Sequence, residues 1–447
     1  MYNDESLYWI WLADKCGAAS SDLSRLVAKY DTPFELYRLE EEELSAIDGI
    51  SVRLKNAMCD KSLESSYSVL KHCKETGIGI LTYSSPRYPA RLKTLEDPPA
   101  VLYYRGKLPD FDSRLCIAVV GTRKMSEYGK QSAYRISYEL AAAHVVVVSG
   151  MALGVDGVAA GGAIASGGDT VAVLGCGIDI VYPREHEKLM RAIENSGVVI
   201  TEYPPSERPA AYNFPKRNRI ISGLCQGTFV VEGAKGSGSL ITASKALAQG
   251  REIFALPANI GQSNSEGPNE LIKNGANVAL CADDIISHYD FLYHDVIDYR
   301  GLHKAKERSL LNDCFLIDLG VTDRHYRGRY DNVTEKMQPA SSDDSVADGK
   351  KIVLQNSHSE PGKENNSSFS GDGQAVSDTP ADDSNQILMS LDSETRTVFE
   401  HMPIDKAISP DSITDTGLDI GATVTALTML ELNGLVTSLP GGLYIRK

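Results

Sequence analysis

Between Asn213 and Ala255 the chain brings together cations, an aromatic ring and a glycine–serine turn. Phe214-Pro215-Lys216-Arg217-Asn218-Arg219 is followed by the apolar run Thr228–Val231, by Lys235, and by Ser237-Gly238-Ser239 at the start of a segment with helical spacing. Lysine and arginine neutralise phosphate, proline stiffens a loop, and a phenylalanine face accepts a stacked base; together these are the parts of single-strand recognition. Serine hydroxyls and glycine N–H groups at a helix start add an anion-binding nest. Gly121-Thr122-Arg123 offers related chemistry elsewhere, with backbone N–H groups after an apolar run and an arginine able to fork onto a phosphate. Ser149-Gly150 opens the run Ser149-Gly150-Met151-Ala152-Leu153-Gly154, which suits either close approach of a ligand or tight strand-to-helix packing. In a competing arrangement of the basic segment, Phe214 is a core residue and Arg219 pairs with Glu202 or Glu232.

Two familiar phosphate motifs are started and not completed. Gly175-Cys176-Gly177-Ile178-Asp179 begins as a dinucleotide fingerprint, but Ile180 stands where the third glycine belongs. Gly233 to Leu240 has the G-x-x-x-x-G of a P-loop, but Ser239-Leu240 replaces Lys-Ser/Thr. Phosphate-binding geometry remains; NAD binding and nucleotide hydrolysis are unsupported. Asp156, Asp179, Glu202 and Glu232 fall near strand ends, where holding loop N–H groups is a simpler role than catalysis. No Mg²⁺ or Zn²⁺ constellation emerges, and no cofactor is expected.

These groups need a frame. From Leu115 onward, short apolar runs alternate with glycine turns and amphipathic segments. After a strand at Ala100–Tyr104, the pattern predicts strands at Ile117–Val120, Val145–Val148, Val171–Leu174, Val198–Thr201, Thr228–Val231, Ile253–Ala255 and Val278–Leu280, with helices between most of them. Strands buried on both faces and joined by helices make a parallel sheet with right-handed crossovers. The fold class is therefore α/β, an extended Rossmann-like, doubly wound and mostly parallel sheet, whose ligands bind beyond the carboxyl ends of the strands. Residues 81–285 are assigned to this domain.

Residues 1–80 have apolar positions three and four apart and predict a helical N-terminal domain of sterile-alpha-motif (SAM) or helix-hairpin-helix type. Within it Ala46-Ile47-Asp48-Gly49-Ile50-Ser51 resembles a helix-hairpin-helix turn, whose glycine lets N–H groups approach a DNA phosphate; a plain helical turn fits as well. Residues 286–330 read as an unplaced helical extension. Residues 331–385 are acidic and rich in Ser, Asp, Asn and Gly, and predict a disordered linker, because they have too little apolar area to offset chain entropy. Residues 386–447 predict a winged-helix-like module, with helices at Ile387–Phe399, Asp411–Thr416 and Ile420–Leu432 and a terminal hairpin. Its third helix has Glu431 and no Lys or Arg, which favours a protein contact over phosphate binding.

The chain of 447 residues carries a net charge of −15, yet residues 105–281 hold 18 basic against 16 acidic groups. The cations cluster at Arg123–Lys124 and Lys216–Arg219, so a locally basic site exists on an acidic protein. Eight cysteines lie far apart without a C-x-x-C, and the longest apolar run, Leu140–Val148, is far below the ~20 residues of a bilayer helix. The N-terminal residues lack a signal-peptide layout, and a cytoplasmic protein with reduced thiols is expected.

Taken together, Gly121-Thr122-Arg123, Ser149-Gly150-Met151-Ala152-Leu153-Gly154-Val155-Asp156, Gly177-Ile178-Asp179 with Tyr182-Pro183, Arg217-Asn218-Arg219-Ile220-Ile221-Ser222-Gly223 and Ser237-Gly238-Ser239-Leu240-Ile241-Thr242-Ala243 resemble the bacterial DNA-processing protein A family, DprA or Smf. The match runs from about Tyr83 to Asp284. The resemblance implies a non-enzymatic protein that binds single-stranded DNA without sequence preference, protects incoming DNA in natural transformation and loads the RecA recombinase. It also implies a homodimer through the α/β domain, and a binding role for Arg123, the Lys216–Arg219 loop and the Ser237–Ser239 turn. The chain departs from the family pattern at Ala159-Ala160, Pro257-Ala258 and Cys225. The glycine–serine turn also looks like that of cytokinin-activating phosphoribohydrolases, which are enzymes acting on nucleoside monophosphates; those carry a catalytic glutamate after the turn, and here no acid follows before Glu252.

Overall fold

The computed structural model describes residues 4–322, 391–403, 406, 408–413, 420–432, 435–439 and 443–446. They fall into two units, Met1–Gln338 and Pro339–Lys447. The expected 331–385 linker lies outside the described residues.

The first unit begins with the helices α1 (Asp4–Cys16), α2 (Asp22–Val27), α3 (Pro33–Arg38), α4 (Glu41–Ser45), α5 (Val52–Cys59) and α6 (Glu64–Thr76). Leu12, Leu26, Leu36, Leu44 and Met58, one from each of α1–α5, are fully enclosed in their shared core. The Gly49 turn does separate two helices. Gly49 has φ +82°, and Ser51 caps α5 by accepting from Leu54 N–H at 3.3 Å. Asp22 accepts from Ser51 N and Oγ at 3.2 and 2.6 Å, which pins the turn to α2.

The sheet that follows has the strands β1 (Gly79–Thr82), β2 (Val101–Gly106), β3 (Cys116–Val120), β4 (Val146–Ser149), β5 (Thr170–Val173), β6 (Val198–Thr201), β7 (Gly227–Val230), β8 (Glu252–Ala255) and β9 (Asn277–Val278). Their spatial order is β1-β2-β6-β5-β4-β3-β7-β8-β9. From β3 the chain steps outward through β4, β5 and β6, then returns to the other side of β3 with β7 and continues to β9. The pairings from β6 through β9 are parallel; β1 with β2 and β2 with β6 are antiparallel. β1 falls outside the predicted strands, because Gly79-Ile80-Leu81-Thr82 holds only two apolar residues, between a glycine and a threonine.

Alternation along the strands buries both faces. Ile117, Val119 and Val147 face one core; Cys116, Ala118, Val120, Val146 and Val148 face the other. The first face is covered by α8 (Glu127–Ala142), α9 (Val155–Ala165) and α10 (Glu187–Ser196), the second by α7 (Ala90–Lys93), α11 (Asn213–Gly223) and α12 (Gly238–Ala248). α13 (Ser263–Lys273) follows β8, and α14 (Ala282–Tyr293) follows β9.

The segment after α14 continues into α15 (Tyr299–Arg308) and α16 (Asp313–Asp318), which lie back on the sheet's helical layer. Leu302, Leu316, Leu319 and Val321 are buried in the first core, and Asp313 Oδ1 accepts from the enclosed Lys130 Nζ of α8 at 2.9 Å.

In the second unit, α17 (Ser393–His401) and α18 (Ile420–Leu432) pack around Val398, Phe399, Leu427 and Leu430, and the antiparallel strands β10 (Val436–Leu439) and β11 (Leu443–Arg446) close it. Of the predicted Asp411–Thr416 helix, the described part forms a 3₁₀ turn, Pro410–Ser412; residues 414–416 lie outside the described residues.

The segment predicted as a basic loop, Phe214–Arg219, is the opening of α11. Pro215 sits in the first turn, where its missing N–H has no intrahelical partner to lose, so the proline is compatible with the helix.

Candidate nucleic-acid interface

A cleft of about 650 Å³ opens at the carboxyl ends of β3 and β7. This is where the strand order reverses, since β3 is hydrogen-bonded to β4 on one side and β7 on the other, all parallel. The loops leaving two such neighbours turn to opposite faces and leave a crevice between them. Gly121, Thr122 and Arg123 form one lip, and Ser237, Gly238 and Ser239 at the start of α12 form the other. Phe214, Arg217 and Asn218, from the start of α11, make the third side. Two helix N-termini thus meet the cleft, and each presents the positive end of its dipole to an anion.

The loop after β3 is held from within. Glu232, 2 % exposed, accepts from Ser126 N–H at 2.8 Å and from the Ser126 hydroxyl, and its backbone carbonyl accepts from Thr122 N–H at 2.8 Å. Gly154 has φ +83°, and a Cβ there would collide with Thr122 O and lie 2.7 Å from Arg123 Cα. Glycine at 154 therefore lets the two loops touch. The opposite turn is tied by the Ser237 and Ser239 hydroxyls, 2.8 Å apart.

Arg123 is exposed; its guanidinium lies 6.0 Å from the Phe214 ring centroid, and Phe214 packs against Tyr182 with centroids 5.2 Å apart and planes at 32°. Tyr182 is 40 % exposed, so the pair offers an aromatic surface beside a mobile-length cation. Arg217 is the buried floor: its Nη1 donates to Gly150 O at 2.9 Å and to Val173 O. Burial lowers the Arg217 pKa, with the Asp156 carboxylate opposing that change. Burial likewise raises Asp156, against Arg217 and the N–H groups of Gly150 and Ala152, at 3.1 and 3.3 Å from its Oδ2.

Several candidate residues stand elsewhere. Ser149 and Gly150 are buried behind the cleft, with Ser149 Oγ donating to Val119 O at 2.8 Å, so of the two roles left open the packing role is the one observed. Lys216 lines a neighbouring cleft, and Lys235 lines neither. Arg219 is a correction. It is 2 % exposed, its Nη2 donates to Glu202 Oε2 at 2.6 Å and its Nε lies 3.1 Å from Asp97 Oδ2. Desolvation opposes its charge, but Glu202 and Asp97 outweigh it and raise the pKa. Breaking such a buried pair costs about 3–5 kcal/mol, more than the ~1.5–3 kcal/mol of one charged hydrogen bond to a phosphate. Arg219 therefore stays inside.

Lys124, Ala152, Tyr182 and Asn264 also line the cleft and were not among the candidates. Asn264 has no motif to mark it; its Nδ2 donates at 2.8 Å to Lys124 O, 140 residues earlier in the chain. The strand-end acids act as loop anchors in three cases: Asp156 and Glu232 as above, and Asp179 through Ser206 N–H at 2.7 Å. α12 carries no carboxylate, so the phosphoribohydrolase glutamate has no counterpart in it. Among the described residues no group of three or more His, Cys, Asp or Glu could hold a metal ion, and no helix is long and apolar enough to cross a membrane.

Sheet order and cleft define a Rossmann-like α/β protein with an open crevice at its switch point. The family model for DNA recombination-mediator protein A matches residues 79–290, and that for the DprA winged helix domain matches 379–442. The chain belongs to the DprA/Smf family of DNA-processing proteins. It is 39 % identical to the DNA processing protein DprA of Bacillus subtilis over 237 residues, 52 % of this chain and 80 % of that protein. It is 42 % identical to Protein Smf of Escherichia coli over 235 residues, 52 % of this chain and 62 % of that one. The X-ray structure of DprA from Streptococcus pneumoniae matches with a TM-score of 0.54 at 31 % identity, covering 63 % of this chain and 97 % of that chain.

Proposed function

We propose that this protein binds single-stranded DNA in the switch-point cleft and turns nothing over there. The observation that carries the reading is the convergence of an exposed arginine, two helix N-termini and the Tyr182–Phe214 ring pair on one crevice. Phosphates lie against Arg123, Lys124 and the Ser237–Ser239 turn, and a base lies on the rings. Duplex DNA keeps its bases stacked inside and offers nothing to that aromatic surface, so the combination favours a single strand.

Membership in the DprA/Smf family supports the wider role: protection of incoming DNA during natural transformation, delivery of the strand to RecA, and action as a homodimer through the α/β domain in the cytoplasm. The test is fluorescence polarisation with single- and double-stranded oligonucleotides over a salt series. Preference for the single strand and a steep fall of affinity with salt are expected. Equal binding of both forms, or a flat salt response, overturns the reading. Sedimentation of the full chain reads the dimer, and RecA-dependent strand exchange with and without the protein reads the delivery step.

A further inference from the structure

A second cleft, of about 340 Å³, opens between the N-terminal helices and the sheet. It shares a wall with the first, and the wall is the start of α11. Asn213 and Lys216 line the second cleft, whereas Phe214, Arg217 and Asn218 line the first. Helical spacing explains the division: residues three and four apart fall on one side, and their neighbours on the next.

The two clefts differ in chemistry. The second sets Asp14 and Glu207 beside Arg53 and Lys216, so it does not suit a chain of phosphates. Its rim carries Tyr212, 65 % exposed, with Lys216 Nζ 5.7 Å from the ring centroid. Carboxylates accept from base N–H groups, and an exposed tyrosine offers a stacking face. Asn213 supplies the independent observation. It is 2 % exposed, it lines this cleft, and its Nδ2 has no hydrogen-bond partner among the described residues. A buried amide N–H₂ without an acceptor is costly; Nδ2 is itself enclosed, so a base carbonyl or ring nitrogen becomes its acceptor once the side chain turns toward the cleft. Glu202 also borders the cleft but is committed to Arg219.

We infer that the second cleft takes one unstacked base of the same DNA strand, whose backbone crosses the start of α11 past Lys216. The N-terminal helices, through Arg53 of α5 and Asp14 of α1, thereby take part in DNA binding. This rests on the first cleft being the single-strand site.

The test compares a strand of about four nucleotides, enough for one cleft, with one of about twelve, both within the range of single-strand site sizes. Fluorescence polarisation is measured for the wild type, Tyr212→Ala and Ser65→Trp. Ser65 is an exposed α6 residue bordering the second cleft, so the indole fills the cleft from its rim without entering the core. Each variant is expected to bind the longer strand roughly tenfold more weakly, the size of one lost base stack, and the shorter strand normally. A scan of the longer strand with single abasic positions is expected to lose one sensitive position in both variants. Unchanged affinity and an unchanged abasic profile in both variants overturn the inference. If those results accompany weakened short-strand binding in Arg123→Ala, the first cleft stands and the second alone is refuted. A wild type that binds neither strand refutes both.

Discussion

Arg219 Nη2 lies 2.6 Å from Glu202 Oε2, with both side chains enclosed, while Arg217, two residues earlier, reaches the floor of the switch-point cleft. One helix turn thus divides its cations between holding the fold and forming the cleft. Glu202 is the first residue after β6, so the pair anchors α11 to the end of that strand.

Arg219→Ala is expected to destabilise the first unit by about 3–5 kcal/mol, because Glu202 and Asp97 lose a buried partner. Urea unfolding checks this. The folded fraction should still bind single-stranded DNA; a large loss of affinity with unchanged stability would mean that Arg219 reaches the ligand.

Arg123→Ala and Lys216→Ala are expected to leave the melting temperature within a degree or so of wild type, since both residues are exposed. Each lost phosphate contact should reduce the slope of log affinity against log salt by about 0.7. Arg217→Ala should behave differently and lower stability as well, because Gly150 O and Val173 O lose their donor. Binding isotherms over a salt series, beside thermal melts, separate the two classes.

Gly154→Ala places a Cβ against Thr122 O at φ +83°. Strain and collision together should cost roughly 1–3 kcal/mol and push the Arg123 loop off the start of α9, weakening DNA binding in the same variant. A melt combined with a binding curve reads both effects; normal values of each would show that the two loops part without cost.

His186 is fully enclosed, with Nδ1 3.1 Å from Met151 O and Nε2 without a partner among the described residues. Burial lowers its pKa below 6.5. Below that pH the unfolded chain takes up a proton that the folded chain refuses, so stability is complete above about 6.5 and falls on acidification. His186→Gln should flatten the melting temperature between about pH 5 and 7, where the unfolded histidine titrates. An equally steep acid loss in the variant would assign the dependence to other groups.

Much of this protein was legible in its residues. Apolar runs such as Ile117–Val120 and Val145–Val148 read as buried strands, and the helical segments between them point to a parallel sheet. Gly121-Thr122-Arg123 and Ser237-Gly238-Ser239, which stand out in the sequence as short glycine-bearing turns, do line one cleft.

Strand order and the burial of individual charged side chains were not legible, because both depend on contacts distant in sequence. Nothing local distinguishes Arg217 from Arg219, and both from Lys216; one turn of α11 sends the three toward a cleft floor, an ion pair and a second cleft. Likewise, the insertion of β7 beside β3 brings the turn at Ser237 to the loop at Arg123, which lie far apart along the chain. Sequence by itself determined most of the elements and marked the glycine-bearing turns between them. Tertiary structure decided which turns share a crevice and which charges are available to it, because pairing of β3 with β7 and desolvation of each side chain are properties of the assembled sheet.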